Sequence, residues 1–239
     1  MQRKGTNGNH LLAIGVFLGL ALLGYLLSDA AIRVKEYERS VTVKGLSERE
    51  VLADVVIWPI AITQAANDLE ALYLDMEKGV DKVREYLADR GIGKASVSFG
   101  PPSVTDKSAQ QWTGGARPEF RFTANQVVTV YSSDIQTVRQ AMEDLVELGK
   151  QGLVFSGSHH GSMIEYQFNG INEIKPAMIE EATVNARAVA EKFARDSDSA
   201  VGKIRRASQG RFTITDRDRN NPHIKNVRVV STIEYYLAD

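Results

Sequence analysis

The chain has 239 residues, a formal net charge of −1, 43% hydrophobic and 25% charged residues, and no cysteine. These values are ordinary for a folded protein and argue against both a disordered chain and a multi-span membrane protein. The near-neutral charge does not indicate a nucleic-acid partner. The missing cysteine excludes disulfides, thiolate nucleophiles and thiolate metal sites.

The N-terminal part divides into a polar start, residues 1–10, and an apolar run, Leu11–Leu27, that contains no charge. A helix over this run is about 25 Å long, slightly less than the hydrocarbon core of about 30 Å. A transmembrane anchor over residues 11–31 fits the pattern, and so does a signal peptide cleaved near Ser28. We favour the anchor, and either interpretation places the following domain outside the cytoplasm.

Residues 32–38 form a charged connector, after which strand patterns begin. Alternating apolar residues predict a first strand over 39–45, and the polar stretch from Gly45 to Glu50 is typical of a turn. Residues rich in β-branched side chains predict a second strand over 51–63. Because Pro59 has no amide hydrogen to donate, we expect a bulge or a sheet edge at this position.

Three amphipathic helices are predicted by apolar residues at spacings of three and four. They begin at Asn67, Asp134 and Asn172, whose side chains cap helix N-termini well. The first ends at Gly91, a residue typical of helix C-termini, and the second at Gly149. The predicted apolar face of the third helix consists of Ile179, Ala182, Ala186, Val189 and Phe193.

The complete order of predicted elements is β-β-α-β-β-α-β-α-β-β. The part from residue 51 to residue 168 is a β-α-β-β-α-β unit, the arrangement of ferredoxin-like folds. We therefore predict an α+β fold, with helices on one face of a mostly antiparallel sheet, preceded by one N-terminal transmembrane helix.

Four stretches of the folded part carry a family likeness: RSVTVKGLSEREVLADVVIWPIAIT, LADRGIGKASVS, EATVNARAVAEKFA and PHIKNVRVVSTIEYYL. They resemble the SIMPL family; the third is the most specific, and the fourth is similar to a membrane-anchored subgroup. The resemblance covers residues 39–239 and implies an envelope-associated bacterial domain, here anchored in the inner membrane and facing the periplasm. It also implies a homo-oligomer and a link to oxidative-stress tolerance, but no catalytic residue and no cofactor.

Two groups of residues are candidates for metal sites, and a simpler interpretation is favoured for both. His159 and His160 are neighbours, which on a strand point to opposite faces, so a polar turn fits them better than a zinc site. Asp216, Asp218 and Asn220 begin like a calcium loop. The glycine and the glutamate that such a loop requires are missing, so a solvated hairpin loop is the better prediction.

Two further features are candidates for interactions with partners. Trp112 lies in a glycine-containing loop, from which an exposed indole can anchor a partner, and the alternative is that the indole folds back on the core. Lys203, Arg205 and Arg211 are predicted to share one face of a strand, while Arg206 points away. A basic face of this kind suits anionic lipid or a neighbouring subunit, although a solvated strand face explains it as well.

The sequence favours a non-enzymatic envelope scaffold that self-assembles while held in the membrane through Leu11–Leu27. A module that binds an envelope lipid, peptide or protein is the alternative, and an uncharacterised hydrolase-type enzyme is the third hypothesis. The sequence contains no dinucleotide fingerprint, P-loop, nucleophile elbow or zinc-protease motif. No catalytic residue, metal or cofactor is therefore assigned.

Overall fold

The computed structural model describes residues 6–36, 39–109, 119–156 and 163–238, with the side chains of the first helix described from residue 13 to residue 29. The described helices are α1 (Thr6–Glu36), α2 (Leu69–Asp89), α3 (Ile135–Glu143), α4 (Val146–Lys150) and α5 (Ile171–Asp196). The described strands are β1 (Ser40–Leu52), β2 (Val55–Ala66), β3 (Val97–Phe99), β4 (Ser103–Asp106), β5 (Phe122–Ser132), β6 (Val154–Phe155), β7 (Glu165–Gln167), β8 (Ala200–Gln209), β9 (Thr213–Asp216) and β10 (Ile224–Ala238). This composition confirms the predicted α+β class.

The strands form two sheets rather than one. In the first sheet the order is β1-β10-β8, with β9 also paired to β10, and in the second it is β3-β5-β2-β6, with β4 on β5 and β7 on β2. The chain divides into two compact units. One contains the chain up to Glu48, Lys175–Phe212 and the chain from Arg228 on, and the other contains Arg49–Ile174 and Thr213–Val227.

The unit that contains the second sheet has the predicted ferredoxin-like arrangement. β2 and β5 are its central strands, and every described pairing in this sheet is antiparallel. Alternate residues of β2, among them Trp58, Ile60 and Ile62, are buried in one apolar core together with Leu72 and Met76 of α2. The apolar face of the strand, which repeats every two residues, therefore packs against the apolar face of the helix, which repeats every 3.6 residues, as the sequence pattern predicts.

Pro59 lies in a central strand without a bulge. The register between β2 and β5 is continuous and pairs Pro59 with Thr129. On the other side of β2, β7 pairs with residues 55–57 and β6 with residues 62–63, so no described strand pairs with Pro59 there. The proline therefore occupies a local edge, one of the two alternatives that its missing donor predicts.

The unit that contains α5 is held together by a close approach of helix and strand. The predicted turn from Gly45 to Glu50 is wrong, because β1 continues through it. A Cβ atom on Gly45 would lie 1.8 Å from the carbonyl oxygen of Ala182, so the glycine is required for packing against α5 and not for a turn. Ser47, which is 2% exposed, donates a hydrogen bond to Glu181 on the same helix.

Three details of the predicted helices need correction. The side chain that caps α2 is Asp68, which accepts a hydrogen bond from the amide of Ala71 at 2.9 Å, and not Asn67. The second predicted helix is divided into α3 and α4. The buried face of α5 repeats every four residues and consists of Met178, Ala182, Ala186, Ala190 and Ala194. Val189 and Phe193, predicted to lie on this face, are exposed.

The helix α1 contains the apolar run, whose large side chains lie on its surface. All of its large apolar side chains from Ile14 to Leu27 are exposed, the least by 54% and the most by 72%. Among the described residues, no helix combines the length and the apolar character needed to cross a membrane.

Candidate interaction surfaces

The basic segment predicted from the sequence lies on β8, at one edge of the first sheet. β8 pairs with β10 on one side, and no described strand pairs with its other side. Nearly all of its residues are exposed, including Lys203 and the apolar Ile204. Arg211 lies beyond the end of this strand. β8 therefore presents unpaired backbone groups beside basic side chains, a combination open to pairing with another chain.

The predicted separation of the arginines onto two faces of this strand is wrong. The register between β8 and β10 shifts beside Glu234, so that Arg205 is an extra, bulged residue. Arg206 is the register partner of Glu234, and Nη1 of Arg205 also lies 3.0 Å from the carboxylate of Glu234. The pKa of Glu234 is lowered mainly by a hydrogen bond from Ser40 and, to a smaller extent, by the charge of Arg205. Arg205 is thus already engaged within its own chain.

A shallow polar depression of about 360 Å³ lies on the face of the first sheet that carries Arg206 and Glu234. It is lined by Thr42, Arg206, Ser208, Thr232 and Glu234. The carboxylate of Glu234 offsets part of the positive charge of Arg205 and Arg206 beside it. What remains resembles a solvated sheet face more than a site for an anionic lipid headgroup, which would require a larger excess of basic groups.

The loop between β9 and β10 does not bring its three candidate calcium ligands together. The carboxylate of Asp216 contacts the ammonium group of Lys225, a side chain that is 7% exposed. Asp218 accepts hydrogen bonds at 2.9 Å from the amides of Asn220 and Asn221, which makes it a turn residue. A hydrogen bond from Arg217 is the main cause that lowers the pKa of Asp218 to about 2. These carboxylates stabilise the hairpin loop.

The other predicted site residues, Trp112, His159 and His160, lie outside the described residues. Within the described part of the chain, no three histidine, aspartate or glutamate side chains are grouped so that they could hold a metal ion.

A half-buried polar cluster that the sequence did not indicate surrounds His223. Its Nε2 atom lies 3.3 Å from Nη1 of Arg139 on α3, and its ring packs edge-on against Tyr166 on β7 with 6.0 Å between the ring centres. Burial lowers the pKa of His223, and the positive charges of Arg139 and Arg217 lower it further. The cluster therefore favours a neutral imidazole that joins the β9–β10 loop to α3 and β7.

A concave surface of about 540 Å³ lies along the exposed side of α2, and we call it the α2 groove. Met76 and Val80 lie at its base, and the side chains of Tyr73 and Leu74, about half exposed, line its wall. The opposite side is formed by Pro102 and Gln126. Gln126 is fixed by a 2.8 Å hydrogen bond from its Nε2 to the carbonyl oxygen of Gly100.

The α2 groove has an acidic rim. Glu70, Glu77 and Asp81 line it at spacings that place them on one side of the helix. Asp81 forms an ion pair with Arg84, whereas Glu70 and Glu77 have no basic partner among the described residues. Beyond Arg84 the surface continues into a second cavity of about 220 Å³ that includes Phe99. The arrangement suits a partner that combines apolar and basic side chains.

Comparison with known proteins decides the family. Residues 41–229, most of the chain, match the sequence profile of SIMPL, described as a protein of unknown function (DUF541). The chain belongs to the SIMPL family. No curated protein matches the chain. The resemblance noted in the sequence is thus confirmed for the SIMPL domain, which includes the α2 groove, β8 and the His223 cluster.

The signal for the α2 groove was present in the SIMPL sequence but was outweighed by the buried stripe of the same helix. Tyr73 and Leu74 stand between the buried positions Leu72 and Met76, on the side that the amphipathic pattern assigns to solvent. A single exposed aromatic or leucine side chain is common on a protein surface and does not by itself indicate a binding site. Only the fold shows that Pro102 and Gln126, from later in the chain, complete a concave surface beside them.

Proposed function

We propose that this SIMPL protein is a non-enzymatic scaffold that self-assembles in the bacterial cell envelope. In this proposal α1 attaches it to the inner membrane, and the SIMPL domain lies in the periplasm. The family resemblance supports the envelope location and the homo-oligomer. It also supports a contribution to oxidative-stress tolerance, which survival of a deletion strain in peroxide would test.

The observation that carries the proposal is the exposed apolar surface of α1. Ten large apolar side chains between Ile14 and Leu27 are exposed in the isolated chain. Burying one such side chain stabilises a protein by about 1.5–3 kcal/mol, so water is a poor surrounding for this helix. A lipid bilayer, together with the α1 helices of other copies, is the surrounding that buries it. Packing of several copies would also compensate for the shortness of the apolar run.

The membrane attachment is tested by fractionating cells that express the full-length chain. We expect the wild type to remain in membranes washed with alkaline carbonate and to be digested by protease added to spheroplasts. The double substitution Leu18→Arg and Leu22→Arg should release the protein from the membrane, because each arginine in the apolar run costs about 2.5–3.5 kcal/mol. The matched control, Asn7→Arg and Asn9→Arg, adds the same charges outside this run and should stay in the membrane. Loss of the wild type in the carbonate wash would contradict the attachment.

The self-assembly is tested by size-exclusion chromatography with light scattering on the full-length protein in detergent. We expect a mass of several chains that persists on dilution to low micromolar concentration. The Leu18→Arg and Leu22→Arg variant shows whether α1 is needed for it. A wild type that is monomeric at every concentration would refute the scaffold function.

A second function, binding of a different envelope protein or peptide, is supported by the α2 groove. Its acidic rim and apolar base suit an extended segment with basic and apolar side chains. Binding is tested by the thermal shift of the full-length protein in the presence of envelope peptide fractions. A shift that is lost in Glu77→Lys would favour this function, and the absence of any shift would count against it.

A further inference from the structure

The acidic rim of the α2 groove and the basic edge strand β8 are complementary surfaces on the same chain. The groove carries Glu70 and Glu77, which have no basic partner among the described residues. β8 carries three basic side chains and no acidic one. Arg205 forms an ion pair with Glu234. Lys203 and Arg206 form none among the described residues, although Arg206 lies across from Glu234.

Pairing of β8 with the β8 of another copy is electrostatically unfavourable. Two such strands placed edge to edge would bring Lys203 and Arg206 of one copy against those of the other, and like charges on neighbouring strands are destabilising. Charged side chains and a bulge are the features by which edge strands avoid such pairing. An acidic surface is therefore a more favourable partner for this strand than a second β8.

The two surfaces also agree in length and spacing. From Glu70 to Arg84, α2 rises by about 21 Å, and the six residue steps from Lys203 to Gln209 on a strand span about 20 Å. Glu70 and Glu77 are about 10 Å apart along the helix axis, and Lys203 and Arg206 are about 10 Å apart along the strand. Tyr73 and Leu74, about half exposed, lie between the two acidic residues along α2.

We infer that β8 of one copy docks in the α2 groove of a second copy, with Lys203 and Arg206 against Glu70 and Glu77. This inference rests on the proposed self-assembly and names the surfaces that carry it. Because the contact joins two different surfaces, a pair of bound copies still offers one free groove and one free strand. Such head-to-tail contacts build a ring when they close and a filament when they do not.

The inference is tested with two charge-reversed versions of the full-length protein in detergent. One carries Glu70→Lys and Glu77→Lys in the groove, and the other carries Lys203→Glu and Arg206→Glu on the strand. We expect each alone to dissociate at a concentration at least tenfold higher than the wild type does, because acidic and basic surfaces no longer meet. Mixed in equal amounts, the two should assemble again, since each groove then faces a strand of opposite charge.

Matched controls reverse exposed charges elsewhere, with Glu143→Lys on α3 and Lys192→Glu on α5, and should assemble as the wild type does. Circular dichroism melting confirms that every variant is folded. Mixing also guards against misfolding, because a misfolded pair would not reassemble. Two results would overturn this inference alone, provided that the wild type assembles. Either each reversed variant assembles as well as the wild type does, or the mixture of the two variants stays dissociated. A monomeric wild type instead refutes the proposed self-assembly.

Discussion

Gly45 lies within β1, where it contacts the backbone of α5. Its backbone conformation is that of an ordinary strand, so the requirement for glycine comes from space alone. A Cβ atom would lie 1.8 Å from the carbonyl oxygen of Ala182 and 2.6 Å from the amide nitrogen of Ala186. The neighbouring atoms are backbone and cannot rotate away. The alanines on α5 and the glycine on β1 therefore act together to bring helix and strand close.

Gly45→Ala should lower the free energy of unfolding by about 2–3 kcal/mol, since helix and strand must separate to admit a methyl group. Gly93→Ala is the matched control, because no atom lies within 4 Å of the Cβ position at Gly93. Urea unfolding followed by circular dichroism measures both. Equal stability of the two variants would show that β1 and α5 do not approach as closely as described.

His223 is a residue whose protonation opposes the fold. Its folded-state pKa lies below the ordinary value of 6.5, mainly because the imidazole is partly buried. The positive charges of Arg139 and Arg217 lower this pKa further, and the negative charge of Asp218 raises it in part. As the pH falls below about 6.5, the unfolded chain binds the proton before the folded chain does. The contribution of His223 to stability is therefore present above pH 6.5 and is lost as the pH falls through the folded-state pKa.

Replacing the imidazole should remove this part of the pH dependence. Between pH 7.5 and pH 5.0, we expect the free energy of unfolding to fall less in His223→Gln than in the wild type. Arg139→Gln should also flatten the dependence, because removing the neighbouring charge raises the pKa of His223. Urea titrations at several pH values provide the measurement. An identical slope in the wild type and His223→Gln would mean that the imidazole titrates as if exposed.

At the scale of elements, α2 is the helix on which both the core and the α2 groove depend. Its C-terminal end follows the predicted pattern: Gly91 has a φ of +79°, and the amide of Ile92 bonds to the carbonyl of Leu87 at 2.9 Å. Its N-terminal end differs by one residue from the prediction. Asn67 instead accepts a hydrogen bond from the amide of Arg121 at 3.0 Å and so binds the start of β5.

The capping role of Asp68 is open to a direct test. Asp68→Ala should lower the free energy of unfolding by about 1 kcal/mol, because the amide of Ala71 loses its acceptor. Asp75→Ala, in the middle of the same helix, removes only an exposed ion pair with Lys78 and should change stability by less than about 0.5 kcal/mol. Thermal unfolding compares the two, and a larger effect at Asp75 would argue against the cap.

At the scale of the whole molecule, the strands differ widely in their exposure. β2 lies between neighbours on both sides, and Val56, Ile60 and Ile62 are at most 2% exposed. Among the described strands, β8 has a partner on one side only, and most of its residues are exposed. Local opening is easiest where few apolar contacts and many exposed backbone hydrogen bonds occur together.

Hydrogen exchange should follow this difference. In the dissociated protein, we expect amides of residues 56–62 to exchange slowest and those of residues 203–209 to exchange orders of magnitude faster. On assembly, residues 203–209 and 70–84 should gain protection together, while residues 56–62 remain unchanged. Mass spectrometry of exchanged peptides measures both states. Strong protection of residues 203–209 in the dissociated protein would contradict an open edge at β8.

The order of elements and the ferredoxin-like unit were predictable because they depend on local periodicity and capping. The buried positions of β2 and α2 repeat at intervals of two and of three to four, and such intervals are visible in any sequence. The face of α5 was predicted less well. Ala190 and Ala194 carry too little apolar area to outweigh Val189 and Phe193 in the pattern, although the small residues are the ones that face the strand.

The candidate sites were predicted less well than the fold, because they depend on contacts between distant residues. Arg205 and Glu234 meet only because β8 and β10 are neighbours, and the bulge that turns Arg205 has no sequence signal. Asp216 faces Lys225 across a hairpin and therefore stabilises it. A cluster of charged residues in a sequence suggests a binding site, but the residues around it in the folded chain decide whether those charges are already neutralised by ion pairs.

The sequence by itself determined the SIMPL family, the α+β class and the apolar run from Leu11 to Leu27, since these follow from residue order and local pattern. The tertiary structure decided that Gly45 is a packing residue, that burial and the charge of Arg139 lower the pKa of His223, and that Glu70 and Glu77 border a groove. Each of these depends on which atoms meet across many residues of chain. The physical reason is that burial, electrostatic shifts and concave shape are properties of assembled surfaces and are absent from any single segment.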